Sequence, residues 1–259
     1  GIDFTGGNLM EVRFDRPVPV EKVRQVMVAQ GLEVSRGIQK SGDSNYIIRT
    51  RHLSQDESDR LIAALSKLGR CTVLRNESVG PTIGRELTTK AILALLVASV
   101  LMVIYISMRF EFKQGIAAII ALLHDTLVVT GIFSLFRIEV DSSFVAALLT
   151  IIGYSINDTI VIFDRIRENM LTRKKGESLE DVVNASLWQT LTRSINTVLT
   201  VIFVLVALYF LGGSTIRNFV LAMLIGVVSG AYSSIFNASP LWVDFKLMEK
   251  RARSKGARA

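Results

Sequence analysis

The chain is predicted to be an α-helical multi-span membrane protein with an N-terminal α+β domain of βαββαβ order. Three observations predict it. Five apolar segments of membrane-crossing length follow residue 90, strand and helix periodicities alternate before residue 80, and basic residues gather in every second connection between the apolar segments.

The first eighty residues order themselves by period. Asn8 to Phe14 alternates as a strand does, and so do 32–39, 44–50 and 71–77. Between the first two, Val20, Val23, Val26 and Met27 recur at helical spacing up to Gly31. Between the last two, Ser54-Gln-Asp-Glu57 opens a helix through Leu61, Ile62, Leu65 and Leu68 to Gly69. Ser41-Gly-Asp-Ser44 supplies the turn between adjacent strands. This order predicts a ferredoxin-like domain over 1–86, an architecture that by itself implies no activity. No nucleophile elbow, phosphate loop or paired-His spacing occurs in it. Gly6-Gly7 reads as turn chemistry, and His52 as a surface residue.

A transmembrane domain over 87–243 is expected, with spans near 91–108, 115–136, 144–163, 195–211 and 219–236. Arg109 and Lys113 follow the first span. Arg165, Arg167, Arg173, Lys174, Lys175 and Arg193 follow the third, and a basic tail (244–259) follows the fifth. The other two loops hold only Arg137 and Arg217. By the positive-inside rule the richly basic connections and the tail are cytoplasmic, which puts residues 1–86 outside. In the long third loop, Ser178-Leu-Glu-Asp181 begins a segment whose Leu179, Val182, Val183, Leu187 and Leu191 share a face beside Trp188. That face suits an amphipathic helix on the inner membrane surface, or one packed on other loops.

Composition removes several function classes. One cysteine, Cys71, excludes an intramolecular disulfide and a cysteine zinc cluster, and His52 and His124 alone do not suit a histidine metal site. No metal and no organic cofactor are expected. The net charge of +7 sits beside the spans rather than on a face interleaved with aromatics, so no nucleic-acid partner is expected. The chain opens inside a Gly-rich turn without an initiator Met, as a sequence cut or fused upstream would.

The chemistry concentrates in the spans. Asp158 lies in a stretch of twenty residues, 144–163, that carries one other polar seam but no other ionisable acid. Placing an aspartate mid-helix in a bilayer costs about 2.5–3.5 kcal/mol on insertion scales, so such acids face a partner or a hydrated path, often for protons. Helix glue is the plainer reading. Thr150, Tyr154, Asn157 and Asp158 fall at helical spacing, as do Arg193, Asn196, Thr197 and Thr200 at the start of the fourth span. Asp158 lies ~8 Å above the end of its span, within reach of Arg193, which could equally snorkel to the interface. His124 and Asp125 lie at comparable depth on the second span. Gly226, Gly230 and Ser234 on the fifth form a small-residue stripe for close helix packing.

Five stretches stand out as long motifs: Gly1-Ile-Asp-Phe-Thr-Gly-Gly7, Val79-Gly-Pro-Thr-Ile-Gly84, the run from Ile152 through Ser155-Ile-Asn-Asp158 to Asn169, Thr190 to Thr197, and Tyr232 to Pro240. Together they resemble the SecF family of protein-export membrane subunits, within the resistance-nodulation-division superfamily. The resemblance implies six spans, one before the opening motif, so this chain is expected to be the pattern without its first helix or the SecF half of a fused SecDF. It implies work with SecD beside the SecYEG channel, on exported preproteins in a bacterial or archaeal cytoplasmic membrane, with protons as coupling ion. It also implies proton transport by Asp158 and Arg193. Asp125 fits the pattern with a role left open, in a network with His124, Tyr154, Asn157, Asn196 and Thr197. Asp3, Gly6, Gly7, Gly80 and Pro81 are implied to form a structural junction. The alternative is half of a proton-driven exporter of small hydrophobic solutes.

Overall fold

The computed structural model describes residues 1–32, 38–40, 42–213 and 215–256. Most of the predicted second strand (33–37), Ser41 of the predicted turn and Arg258 of the tail lie outside them. The chain forms two compact units, residues 1–92 and residues from 93 onward.

The first unit opens with α1 (Ile2–Thr5) and β1 (Gly7–Phe14), followed by α2 (Val20–Ala29), β2 (Ile38–Lys40) and β3 (Asn45–Thr50). It continues with α3 (Gln55–Leu65) and β4 (Cys71–Val79). The strands form one antiparallel sheet in the order β2-β3-β1-β4, the ferredoxin-like arrangement that the alternation of periods predicts. Period two decides which side chains meet: Met10, Val12 and Phe14 of β1 and Tyr46 and Ile48 of β3 are buried together under Val23, Met27, Leu61 and Leu65 of the two helices. Tyr46 is satisfied within that core, donating its hydroxyl hydrogen to the Val18 carbonyl and accepting from Val18 N at 3.3 Å. Gly7 has φ 132°, and a Cβ there would lie 2.6 Å from the Thr50 carbonyl oxygen, so both conformation and space require glycine.

The predicted capping box forms. Ser54 N donates to Glu57 Oε2 at 2.9 Å, and Ser54 Oγ accepts from Glu57 N at 3.3 Å. Arg51 grips the same carboxylate at 2.6 Å. The Arg51 hydrogen bond, and after it the Ser54 amide, hold the Glu57 carboxyl down from 4.5 to about 2. Because the folded value is depressed, this support is whole above about pH 4.5 and is lost as pH falls toward 2. Amide exchange at the start of α3 should therefore accelerate across that window, and in Glu57→Gln the acceleration should disappear. An unchanged profile in the variant would show that the ion pair does not support the helix end.

The second unit is helical. α4 (Pro81–Arg109) enters it from the first unit and is followed by α5 (Phe112–Leu135), α6 (Ser142–Leu171), α7 (Leu179–Leu211) and α8 (Arg217–Ser233). A π-helical turn, Ser234–Ala238, leads into α9 (Ser239–Gly256). Among the described residues five helices are long and apolar enough to cross a membrane, α8 to α9 counting as one. Pro81 stands at the first helical residue of α4, where its missing N–H costs nothing. Pro240 lacks the N–H that would close an α-helical bond to Phe236, and the wider turn lies immediately before it.

Two expectations change. The predicted surface helix after Ser178 is not a separate element but the first third of α7, continuous with the fourth span. Its Val182, Val183, Ser186 and Thr190 are buried, while Trp188 points outward with 69% of its surface exposed. Nothing in 179–211 interrupts the helix, and Asn169 of α6 holds it by donating to Ser186 Oγ (2.8 Å) and Gln189 Oε1 (3.0 Å). The helix that holds the first predicted span is also longer than the span, because α4 begins at Pro81 rather than near residue 91.

The small-residue stripe of α8 packs on α6 as predicted. Gly226 faces Ile151, and a Cβ on Gly230 would come within 2.9 Å of Ser155 Cβ. Above this seam Val129, Phe133, Phe144, Ile151, Met223 and Val227 form one buried cluster, and below it Ala118, Phe163, Ile166 and Trp242 belong to another.

Candidate functional site

Asp158 projects from α6 toward α7 and is half-buried. Ser194 Oγ donates to its Oδ1 at 2.6 Å, while Oδ2 is buried and has no hydrogen-bond partner among the described residues. The expected contact with Arg193 is absent: among the described residues no ion pair within 4 Å joins the two. Helix geometry explains the exchange of one residue for its neighbour. Val183, Ser186, Thr190 and Ser194 recur on the buried face of α7, and one residue's step of 100° turns Arg193 to the exposed rim.

The predicted seam around Asp158 is real as a face but lies at the edge of the chain. Tyr154 Oη donates to the Thr197 carbonyl at 2.9 Å, giving α6 and α7 a second polar link. Thr197 and Thr200 return their hydroxyls to their own helix, at 2.8 Å each, to the carbonyls of Arg193 and Thr197. Thr150, Asn157, Arg193, Asn196, Thr197 and Thr200 are all exposed. A polar face at this depth of two membrane helices is costly against lipid, and is stable when another polypeptide or a water-filled path covers it.

Asp125 belongs to a different site. Sequence reasoning grouped it with Asp158 and Arg193 at one depth, but it points into the junction of α5, α6 and α8 and is 1% exposed. Three serines donate to it: Ser155 to Oδ2 at 2.8 Å, Ser233 to Oδ2 at 2.7 Å and Ser229 to Oδ1 at 2.7 Å. His124 Nδ1 lies 3.2 Å from Oδ1. One residue along, Thr159 and Ser234 share a hydrogen bond of 2.8 Å, and Ser234 also donates to the Ser155 carbonyl. Ser155, Ser229 and Ser233 were missed from sequence as partners of Asp125. The available signal was the i, i+4 spacing of Ser229 and Ser233 on an apolar span at the depth of an acid, since the stripe of Gly226, Gly230 and Ser234 lies on an adjoining face.

His124 itself is partly exposed, its ring 6.4 Å from that of Tyr232. Both border an apolar groove of about 630 Å³ between α5, α7 and α8, with Val128, Ile202, Leu224 and Val228. The junction residues lie in the first unit: Asp3 in α1, Gly6 between α1 and β1, Gly7 at the start of β1, Gly80 between β4 and α4, and Pro81 at the start of α4. A Cβ on Gly84 would stand 2.9 Å from the Phe4 carbonyl oxygen, so the opening turn and the start of α4 pack closely. Among the described residues no group of three or more His, Cys, Asp or Glu could hold a metal ion.

Comparison with known proteins gives a consistent result. Residues 61–248 match the family described as protein export membrane protein SecD/SecF, C-terminal, and residues 1–18 match the SecD/SecF GG motif. Protein translocase subunit SecF of Thermobaculum terrenum is 46% identical, over 95% of this chain and 84% of that one. SecDF of Bacillus subtilis is 42% identical over 98% of this chain and 35% of its own. The crystal structure of a Thermus SecDF, described as a translocon-associated membrane protein, superposes with a TM-score of 0.87 at 39% identity. That match covers 95% of this chain and 34% of the SecDF chain, so this chain spans about a third of it.

Proposed function

Because this chain belongs to the SecD/SecF family of protein-export membrane proteins, we propose that it serves the Sec protein translocase as a SecF subunit and, with SecD, uses the proton-motive force to promote preprotein export. It is a transport component rather than an enzyme. The observation that carries the coupling is the asymmetry of Asp158: one oxygen bonded to Ser194, the other buried and without a partner among the described residues.

An ionised carboxylate has about four acceptor sites, and here one is used. The arrangement therefore suits the neutral acid, whose proton resides on Oδ2. On loss of that proton the buried charge needs a partner, and the guanidinium of Arg193 is the cation within reach, on a side chain free to swing in from the rim. That swing changes the contact of α6 with α7 and makes proton loss a mechanical event. The proton enters from the side of residues 1–86, taken as outside, and leaves toward the basic, cytoplasmic connections. Preproteins meet the outer unit, and SecYEG is the channel served.

SecD, whose fused form is among the relatives, is the partner that covers the polar face of Asn157, Arg193 and Asn196. The solute-exporter alternative finds no support: the interior of the first unit is filled by its own side chains. The test is made in proteoliposomes holding the complex with SecD and the channel, loaded with an exported precursor. Export should quicken under an imposed proton gradient and carry protons with it. Export indifferent to the gradient would overturn the reading.

A further inference from the structure

Asp125 is a buried acid that the proton mechanism above does not use, and its surroundings are the opposite of those of Asp158. Four donors converge on it, from Ser155, Ser229, Ser233 and His124, the last when Nδ1 carries a hydrogen. Four donors saturate an ionised carboxylate, whereas a protonated one would force one of them to turn away. Among the described residues no Lys or Arg contacts it. From α6 and α8 it faces only serine hydroxyls, and the one ionisable neighbour in contact is His124 of its own helix.

The donors come from α6 and α8, two of the elements packed against α5. Ser155 is the crucial one, because it stands one turn before Asp158 on α6, and its carbonyl also receives Thr159 and Ser234. α7 meets the same part of α6 through Ser194 at Asp158 and the Thr197 carbonyl at Tyr154, and Asn169 ties the two helices again further along.

We infer that Asp125, with its carboxylate held by four converging donors, is a positioning residue and not a proton carrier. Through Ser155 it fixes the turn of α6 that carries Asp158, and through Ser229 and Ser233 it ties that turn to α8. The inference rests on Asp158 being the proton carrier and adds what holds the carrier still.

Infrared spectra of the lipid-reconstituted complex with SecD, taken along a pH titration, test it. Asp158→Asn should remove one carboxylic C=O component. Asp125→Asn should remove none, but should move the midpoint of the Asp158 component by roughly half a pH unit or more. Proton-driven export in that variant should fall about tenfold, as expected for loss of bonds to a charged group. Ser155→Ala, which cuts the same link with a smaller change, should shift the midpoint in the same direction, so the test stands even if Asp125→Asn does not fold. Loss of a component in Asp125→Asn would make Asp125 a proton carrier and overturn the inference. So would an unmoved midpoint in Ser155→Ala. If Asp158→Asn removes no component, it is the reading of Asp158 that fails, a distinct outcome from either of these.

Discussion

Asp158→Asn should abolish the response of export to a proton gradient while leaving the subunit inserted and assembled. Asparagine has the shape of the acid, and its carbonyl oxygen can still accept from Ser194, so the packing of α6 on α7 is kept. What disappears is the ability to gain and lose a proton at the buried oxygen. One charge crossing 100 mV is worth about 2.3 kcal/mol, a factor of about 50 in an equilibrium. That factor is the largest advantage one proton can confer at that voltage, before any pH difference is added. Export should thus drop to the level of membranes lacking the subunit, and an uncoupler should cause no further loss. Asp158→Glu keeps the titrating group on a longer arm and should retain part of the response. Uncoupler-sensitive export in Asp158→Asn at the unsubstituted level would remove Asp158 from the mechanism.

Gly230→Leu should be the most damaging substitution to the membrane unit itself. A Cβ at Gly230 would already stand 2.9 Å from Ser155 Cβ and 3.3 Å from its Cα, so α8 must retreat from backbone rather than from a flexible tip. Overpacking of this kind costs about 1–3 kcal/mol. Retreat of α8 would also draw Ser229 and Ser233 off Asp125, and each buried acceptor left unmatched costs about 1–3 kcal/mol more. Thermal denaturation of the purified complex should show a much lower Tm, with a reduced steady-state level in cells. Gly131→Leu on α5 is the control, because nothing lies within 4 Å of a Cβ there. Equal damage from both variants would assign the effect to helix propensity or insertion and not to the seam between α6 and α8.

Legibility from sequence differed between the two units for a physical reason. In the first unit each strand has one face in the core, so alternation at Met10, Val12 and Phe14 reports burial directly. In the second, lipid and protein are both apolar, so hydropathy marks a helix without saying which side faces its neighbours. Leu93, Leu96 and Val100 of α4 are exposed, whereas Ile151 and Phe163 of α6 are buried. The same blindness divided the site. Asp158 and Asp125 stood out because ionisable groups are costly in a bilayer, but Ser155, Ser229 and Ser233 are tolerated almost anywhere in a span and carried no comparable signal.

The amino-acid sequence alone determined the βαββαβ order, the five spans, the capping box at Ser54, the small-residue stripe and the family, since each depends on local periodicity, length or contiguous motif. Only the tertiary structure decided that Ser194 rather than Arg193 touches Asp158, that Asp125 sits apart in a cage of serines, and that the segment after Ser178 continues into α7. Those outcomes depend on how far each helix is rotated about its own axis. That rotation is set by the neighbours it packs against, Gly230 on Ser155 above all, and a linear pattern does not contain it.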